Sequence, residues 1–470
     1  MSARIVIALV LWGVASPARS QDILSLDGLL AHVDSAYPKL IGATAERDLA
    51  SAKRLSKQGA FDPTVALGVE SQRYNSSSTR GKASRFSGTT LEWEGLTQDG
   101  AKWRVGRVAN VGSVKSPASS AGSAGTYFAE VKFPLLRNQG VNEKSVALAQ
   151  ARLGESVAEL EWLSVRRDVY REAGLAYYKW CGGLAKRDVA RKLLAVAEQR
   201  LRGIYREIEL EQRAKIEGIE AEAEVDLRRA SLAAAERTAE EAALKLDKFL
   251  WDRRTARELA PTALPRPTLT SDDVAREGER KAVERRPELT QLARESETAR
   301  LDGDLARNDR RWSLDLVLAP GRDLGTNGIG ETLKAGFTAS LPLYQRDAKG
   351  REEAARLKQV KLTQSQELER RAAELEVRDA VSAANRAYER FLAASANLDR
   401  TEQVESGELK LFRAGASDLF RVNLRERATA ESASRLIDVQ VDWVQAKLAL
   451  LAATMELMGE ERDVALSGLR

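Results

Sequence analysis

The chain has 470 residues, of which 43% are hydrophobic and 30% charged, and its formal net charge is +5. This small positive excess is spread along the chain and is not interleaved with aromatic residues, which argues against a nucleic-acid interface. His32 is the only histidine and Cys181 the only cysteine. An intrachain disulfide is therefore impossible, and a Ser–His pair or a His-rich metal site is nearly excluded. We predict no enzyme, no cofactor and no metal.

The N-terminus predicts a signal peptide over residues 1–20. Arg4 supplies a positive charge, Ile5–Ala15 is uncharged and mostly apolar, and Ala18 and Ser20 are small residues before the cleavage site. No later stretch approaches 18 apolar residues. If the exported chain crosses a membrane, it must do so as a closed β-barrel, because only helices and barrels satisfy every backbone group in lipid.

The remaining chain reads as a duplication. The first repeat covers 21–260 and the second 272–459, with a Pro-rich linker at 261–271 and a tail at 460–470. Each repeat has a helix, then strands, then a long helical hairpin. The strands are expected at about 63–136 and 311–344, and the hairpins at about 139–255 and 348–458.

Matching prolines support the duplication. Pro38 and Pro287 fit the first turn of a helix, where the missing N–H is harmless, and Pro134 and Pro342 end the two strand segments. Pro38 and Pro134 are 96 positions apart, whereas Pro287 and Pro342 are only 55 apart. The first repeat therefore carries an additional segment, which gives it either two or four strands, against two in the second repeat.

The long helical regions have the spacing of coiled coils. Apolar residues recur in steps of three and four, as at Val377, Val381, Ala384 and Tyr388, so that one stripe faces a partner helix. At about 1.5 Å per residue such a helix is roughly 100 Å long, which suits a hairpin projecting into water. We interpret the pair Gly182–Gly183 in the first region as a kink.

The tip of the second hairpin is marked by its residues. Gly415 can end one arm in the left-handed conformation, and Ser417 or Asp418 can cap the returning helix. The first tip is not marked. Its equivalent position falls near Glu207, in a stretch without glycine or proline, and Gly203 is the nearest candidate.

The strand segments alternate apolar and polar residues in runs of about 9–11 residues, the length of a tilted membrane strand. Long polar connections at 74–88, 112–125 and 320–330 resemble extracellular loops, whereas the turn at 97–100 is short, as periplasmic turns are. A soluble β-sandwich would show the same alternation. Aromatic residues near the ends of the runs are expected at the membrane interface: Trp93, Trp103, Tyr127, Trp312 and Tyr344.

The order of these features resembles the TolC-type outer-membrane efflux proteins. The motifs that carry the resemblance are RPEL at 286–289, PLLRNQG at 134–140, PLYQRDAKG at 342–350, RAGASDLF at 413–420 and LLAATMELMGE at 450–460. The resemblance covers nearly all of the mature chain.

The resemblance implies a mixed α+β membrane protein, internally duplicated and homotrimeric. Its outer-membrane β-barrel would be continuous with a long periplasmic α-helical, coiled-coil barrel, in contact with outer-membrane lipid. The protein would be a passive conduit in a tripartite efflux or type I secretion system. The tips of the helical hairpins would form its gate and dock a periplasmic adaptor and an inner-membrane pump.

In that family acidic residues after the second tip narrow the entrance, and this sequence departs from the pattern. Arg421 stands where an aspartate is common, and Asp418 lies one turn earlier. The first tip offers Glu207, Glu209 and Glu211 instead. We predict a mixed-charge constriction, in which these glutamates lie near Arg421 and Asp418.

Other classes of protein share some of these features. A periplasmic adaptor of the membrane-fusion type also carries a long hairpin, but normally one hairpin between soluble β domains. An exported coiled-coil structural protein would explain the helices but not the strands. The abundant carboxylates lie at spacings suited to Glu–Arg pairs on helix surfaces rather than to catalysis.

Overall fold

The computed structural model describes residues 22–75, 83–112, 121–251, 255–326 and 328–458. The predicted signal peptide and the tail at 460–470 lie outside these ranges. The first half of the chain forms these elements: β1 Asp22–Leu24, α1 Leu26–Ala36, α2 Pro38–Gln58, β2 Thr64–Asn75, β3 Ala83–Leu96, β4 Lys102–Gly112, β5 Gly125–Pro134, α3 Glu143–Glu209 and α4 Lys215–Asp247.

The second half repeats this order with fewer strands. Its elements are β6 Leu259–Pro261, α5 Asp272–Arg285, α6 Pro287–Asp309, β7 Ser313–Leu324, β8 Gly330–Ser340, α7 Arg346–Arg413 and α8 Leu419–Ala453. Strand β6 lies in the connection between the halves and pairs in parallel with β1, which ties the start of the described chain to its middle.

The helices begin where the residues favour a start. Pro38 and Pro287 occupy the first turns of α2 and α6, as predicted. The side chain of Asn142 accepts hydrogen bonds from the N–H groups of Lys144 and Ser145 at the start of α3, at 3.1 and 2.9 Å. In the described part of the chain, no helix combines the length and the apolar character needed to cross a membrane.

Six described strands form one antiparallel sheet, in the order β2-β3-β4-β5-β7-β8. The first half therefore contributes four strands and the second two, which decides the number that the sequence left open. The register gives the sheet two unlike faces, because directly paired residues share a face. One face is mostly apolar and includes Val65, Leu67, Leu91, Trp93, Val105, Ala129, Val131, Leu316, Leu333 and Phe337.

The largest core lies among the helices, away from the sheet. Its fully buried aromatic residues include Tyr177 and Trp180 of α3 and Trp443 of α8. The Tyr177 hydroxyl donates to the Leu24 carbonyl at 2.7 Å and also contacts Thr262. The core thus holds the connection between the two halves. Burial raises the pKa of Cys181 in this core to about 12, so its thiol stays protonated.

The pair Gly182–Gly183 does not interrupt α3, which continues through both residues. A Cβ atom at Gly182 would lie 2.7 Å from Cγ2 of Val441, and one at Gly183 would lie 3.2 Å from Cα of Ala239. The glycines therefore allow α8 and α4 to approach α3 closely. The structure thus gives these glycines a role in close helix packing, and the kink stays a prediction.

Candidate functional site

The two hairpins of the chain end side by side. Helix α3 ends at Glu209 and α4 begins at Lys215, and Glu211 between them takes the left-handed conformation with φ 57°. The first tip is thus close to the equivalent position at Glu207. Gly203 lies inside α3 with nothing within 4 Å of an added Cβ, so its selection as the break was wrong.

The second tip turns at the residues that the sequence predicts. Helix α7 ends at Arg413, and Gly415 follows with φ 74°. The carboxylate of Asp418 accepts a hydrogen bond from the backbone N–H of Arg421 at 2.8 Å and caps α8. Ser417 donates to the carboxylate of Glu408. A left-handed glycine and an N-terminal cap together turn the chain within a few residues.

Arg213 of the first tip connects the two tips. Its guanidinium pairs with Glu207, contacts Glu217 at 2.6 Å, and lies 4.6 Å from the ring centre of Phe412 in the second hairpin. Buried Leu419 packs beside Ile204 below this contact. The sequence analysis did not predict a role for Arg213, although Arg213 is the last residue of the charged stretch 205–213 that contains Glu207.

A groove between the tips gathers part of the predicted site. Of the predicted site residues, four line this groove: Glu207, Gly415, Ser417 and Asp418. Three lie outside its lining: Glu209, Glu211 and Arg421. The groove is lined by Glu207, Gln212, Arg213, Glu217, Glu220, Phe412, Arg413, Gly415, Ser417, Asp418, Leu419 and Phe420.

The charges of the tips pair locally within one chain. Nε of Arg421 lies 3.7 Å from Oδ2 of Asp418, and both side chains are more than 60% exposed. Glu207 pairs with Arg213 rather than with Arg421. Within the described chain both signs of charge are present at the tips, but the first-tip glutamates make no ion pair with Arg421.

A buried ion network joins the hairpins above the tips. The Glu426 carboxylate of α8 is 1% exposed and pairs with Arg200 of α3 and with Arg228 of α4, the latter at 2.8 Å. Arg228 also pairs with Glu224 at 2.8 Å, and Glu224 pairs with Arg427 of α8 at 2.6 Å. Glu224 and Arg228 have the spacing of a helix-surface pair, so sequence alone gives no sign of their burial.

Four of the five predicted interface aromatics lie at the helix-side end of the sheet. Trp93 and Trp103 form an edge-to-face pair with ring centres 5.2 Å apart. Trp312 is 56% and Tyr344 75% exposed where β7 begins and after β8 ends. Tyr127 lies near the opposite end, with Arg107 over its ring.

The polar face of the sheet carries paired charges. Arg104 of β4 contacts Glu92 of β3 at 3.2 Å and Glu130 of β5 at 2.9 Å. Lys132 of β5 contacts Asp315 of β7 at 2.9 Å. Among the described residues no group of three or more His, Cys, Asp or Glu side chains could hold a metal ion.

This architecture is the fold of outer-membrane channel proteins. The outer membrane protein VceC of Vibrio cholerae is 14% identical, with a TM-score of 0.67 over 91% of this chain and 95% of VceC. The CmeC outer membrane channel of Campylobacter jejuni is 11% identical, with a TM-score of 0.66 over 100% and 98%.

The MtrE outer membrane channel of Neisseria gonorrhoeae, solved in its open state, is 15% identical, with a TM-score of 0.64 over 92% of this chain and 88% of MtrE. No protein-family model matches the sequence, and comparison with curated proteins finds no match either. The expected resemblance to TolC-type proteins is thus confirmed at the level of the fold.

Proposed function

We propose that this protein is the outer-membrane channel component of a tripartite efflux or type I secretion system. The observation that carries the proposal is the exposed apolar face of the sheet. Val65 and Leu333 on that face are 73% and 74% exposed, and Phe337 is 70% exposed. Such a contiguous apolar surface is costly in water and favourable in lipid.

The opposite face suits a water-filled lumen. Its charges are held in ion pairs across neighbouring strands, as with Arg104 and its two glutamates. Membrane strands alternate an outward apolar face with a polar interior in this way. The helices α3 and α7, of 67 and 68 residues, are each roughly 100 Å long at 1.5 Å per residue, and extend the conduit into the periplasm.

One chain cannot close six strands into a barrel, and unpaired edges are not tolerated in lipid. We propose a homotrimer, as the resemblance implies, which docks a periplasmic adaptor and an inner-membrane pump. Transport through it is passive. A periplasmic adaptor is the disfavoured alternative, because the solved relatives named above are outer-membrane proteins and channels.

The tips are the proposed gate. Arg213 holds two glutamates of its own tip and lies against Phe412 of the other, so separating the tips breaks this contact. Arg421 and Asp418 add exposed charges of both signs beside it. The interface aromatics are proposed to sit where the barrel leaves the lipid.

Planar-bilayer conductance of the detergent-extracted mature protein, with its oligomer mass measured in parallel, tests the function. Discrete conducting steps from a trimer are expected. Arg213→Ala should raise the open fraction of those steps, whereas Arg191→Ala, an exposed arginine higher on α3, should leave it unchanged. A water-soluble species without conductance would overturn the channel and favour the adaptor.

A further inference from the structure

The hairpin formed by β3 and β4 is an integral part of the sheet. It lies between β2 and β5, and each junction is a continuous antiparallel ladder. Trp93 and Val105 continue the apolar face across the hairpin, and Glu92 and Arg104 continue the polar face. Without these two strands, β2 would have no hydrogen-bonded neighbour within the described chain.

The turn of this hairpin is fixed to the base of α3. The side-chain amide of Asn142 donates to the Gln98 carbonyl at 2.9 Å, and the N–H of Gly140 donates to the Asp99 carbonyl at 3.1 Å. Gly100 has φ 90°, and a side chain there would overlap the Asn138 carbonyl. The turn is therefore held at the point where the sheet passes into the helices.

The two edge strands of the sheet, β2 and β8, run in opposite directions. The chain enters β2 from α2 and leaves β8 toward α7, so β2 runs away from the helices and β8 runs back toward them. The outer edges of both strands have no partner within the described chain. A second copy can therefore pair its β2 with β8 in the antiparallel sense.

The width of the sheet, compared with the width of the helices beneath it, favours all six strands in the barrel wall. Helices α2, α3, α6 and α7 pack side by side in that order beneath the sheet, and four helices about 8–10 Å apart span an arc of about 32–40 Å. Six strands about 4.8 Å apart, tilted by about 35–45°, span about 35–41 Å. Four strands span only about 23–27 Å on the same geometry.

We propose that each copy contributes all six strands to the wall, with β8 of one copy paired to β2 of the next, so that a trimer closes an 18-stranded barrel. This rests on the proposed channel function and its trimer. A barrel of this size is about 35 Å across between opposite backbones and encloses an aqueous channel. The β3–β4 hairpin thus widens the barrel to match the ring of helices below it.

Two adjacent threonines on β3 give a matched test. Thr89 lies on the apolar face, paired with Val69 and Ala109, and Thr90 lies on the polar face, paired with Gly68 and Val108. In lipid vesicles, a charged thiosulfonate should label Thr90→Cys at least about tenfold faster than Thr89→Cys, because the reagent needs a water-exposed thiol. Denatured samples should label equally, and the unaltered chain controls for Cys181.

Counting strands by cryo-electron microscopy of the trimer in lipid nanodiscs gives the independent readout. Eighteen strands support the proposal. A conducting trimer with twelve strands, in which both cysteines label alike because β3 and β4 lie outside the wall, would overturn it and leave the channel function intact. A non-conducting, water-soluble protein would overturn both.

Discussion

Arg167 of α3 and Glu288 of α6 form a two-pronged ion pair, with N–O distances of 2.8 and 3.2 Å, that joins the two repeats. The Arg167 side chain is only 10% exposed. Glu288 belongs to the RPEL motif at 286–289, whose Pro287 matches Pro38 of the first repeat. A motif that sequence analysis uses to detect the duplication therefore also holds its halves together.

This pair predicts a pH-dependent contribution to stability. Burial by itself would raise the pKa of Glu288, but the hydrogen bonds and charge of Arg167 hold it below the ordinary value. A depressed pKa in the folded state stabilises the fold above the unfolded value of about 4.3, and this stabilisation is lost as the pH falls through the lower folded value.

Glu288→Gln should therefore destabilise the protein at neutral pH by about 1–3 kcal/mol, and the difference from the unaltered chain should shrink below about pH 4. Thermal unfolding followed by helical circular dichroism, across a pH series, measures this. Glu353→Gln removes an exposed pair with Arg356 and should have little effect. A difference that stays constant with pH would contradict the assignment.

Close packing at Gly182 predicts opposite effects for two glycine substitutions in one helix. Gly182→Ala places a methyl group 2.7 Å from Val441 and should cost about 1–3 kcal/mol through overpacking. Gly203→Ala has open space and should stabilise α3 by about 0.5–1 kcal/mol. The thermal unfolding midpoints of the two variants test this prediction. Equal shifts in the same direction would contradict the close approach of Val441 to Gly182.

The buried network around Glu426 predicts strong coupling between the hairpins. Glu426→Gln leaves Arg200 and Arg228 without their shared carboxylate, and breaking such a buried pair costs about 3–5 kcal/mol. Glu431→Gln, one to two turns along α8 at a 68% exposed side chain, should change stability by less than about 0.5 kcal/mol.

Hydrogen exchange at the tips extends this test. Because the network holds α8 against α3 and α4, Glu426→Gln should accelerate amide exchange in α8 and in both tips, while Glu431→Gln should not. If both variants exchanged like the unaltered protein, the network would have no part in holding the hairpins together.

The proposed gate predicts a change in ion selectivity at Arg421. Arg421→Glu makes the second tip more negative, so the zero-current potential in a salt gradient should shift toward cation selectivity. Arg435→Glu makes the same charge change fourteen residues along α8, about 21 Å from Arg421. That distance exceeds the Debye length of about 8 Å at physiological salt, so this control should change selectivity little. Equal shifts would remove Arg421 from the gate.

Several features of this protein follow from local sequence. Alternating polarity predicts strands with two unlike faces, because side chains alternate across a strand. Pro38 and Pro287 predict helix starts, because their rings fix φ and lack an N–H. Gly415 predicts the second tip, because glycine accepts positive φ without steric cost. The structure agrees at each position.

Other features depend on tertiary contacts between residues that are distant in sequence. The first tip turns at Glu211 in the left-handed conformation without a glycine to mark it. Gly182 leaves room for the side chain of a neighbouring helix, and Glu224–Arg228 is buried although its spacing is that of a surface pair. In each case a packing partner distant in sequence sets the outcome, which local propensity does not encode.

The number of strands separates most clearly what the sequence determines from what the tertiary structure determines. The sequence determined by itself that the strand segments have one apolar and one polar face and that each repeat holds an even number of strands. Only the tertiary structure decided that the hairpin turning at Gly100 lies inside the sheet between β2 and β5. The physical reason is that polarity alternates along one strand, whereas hydrogen bonding to a neighbour is made between strands.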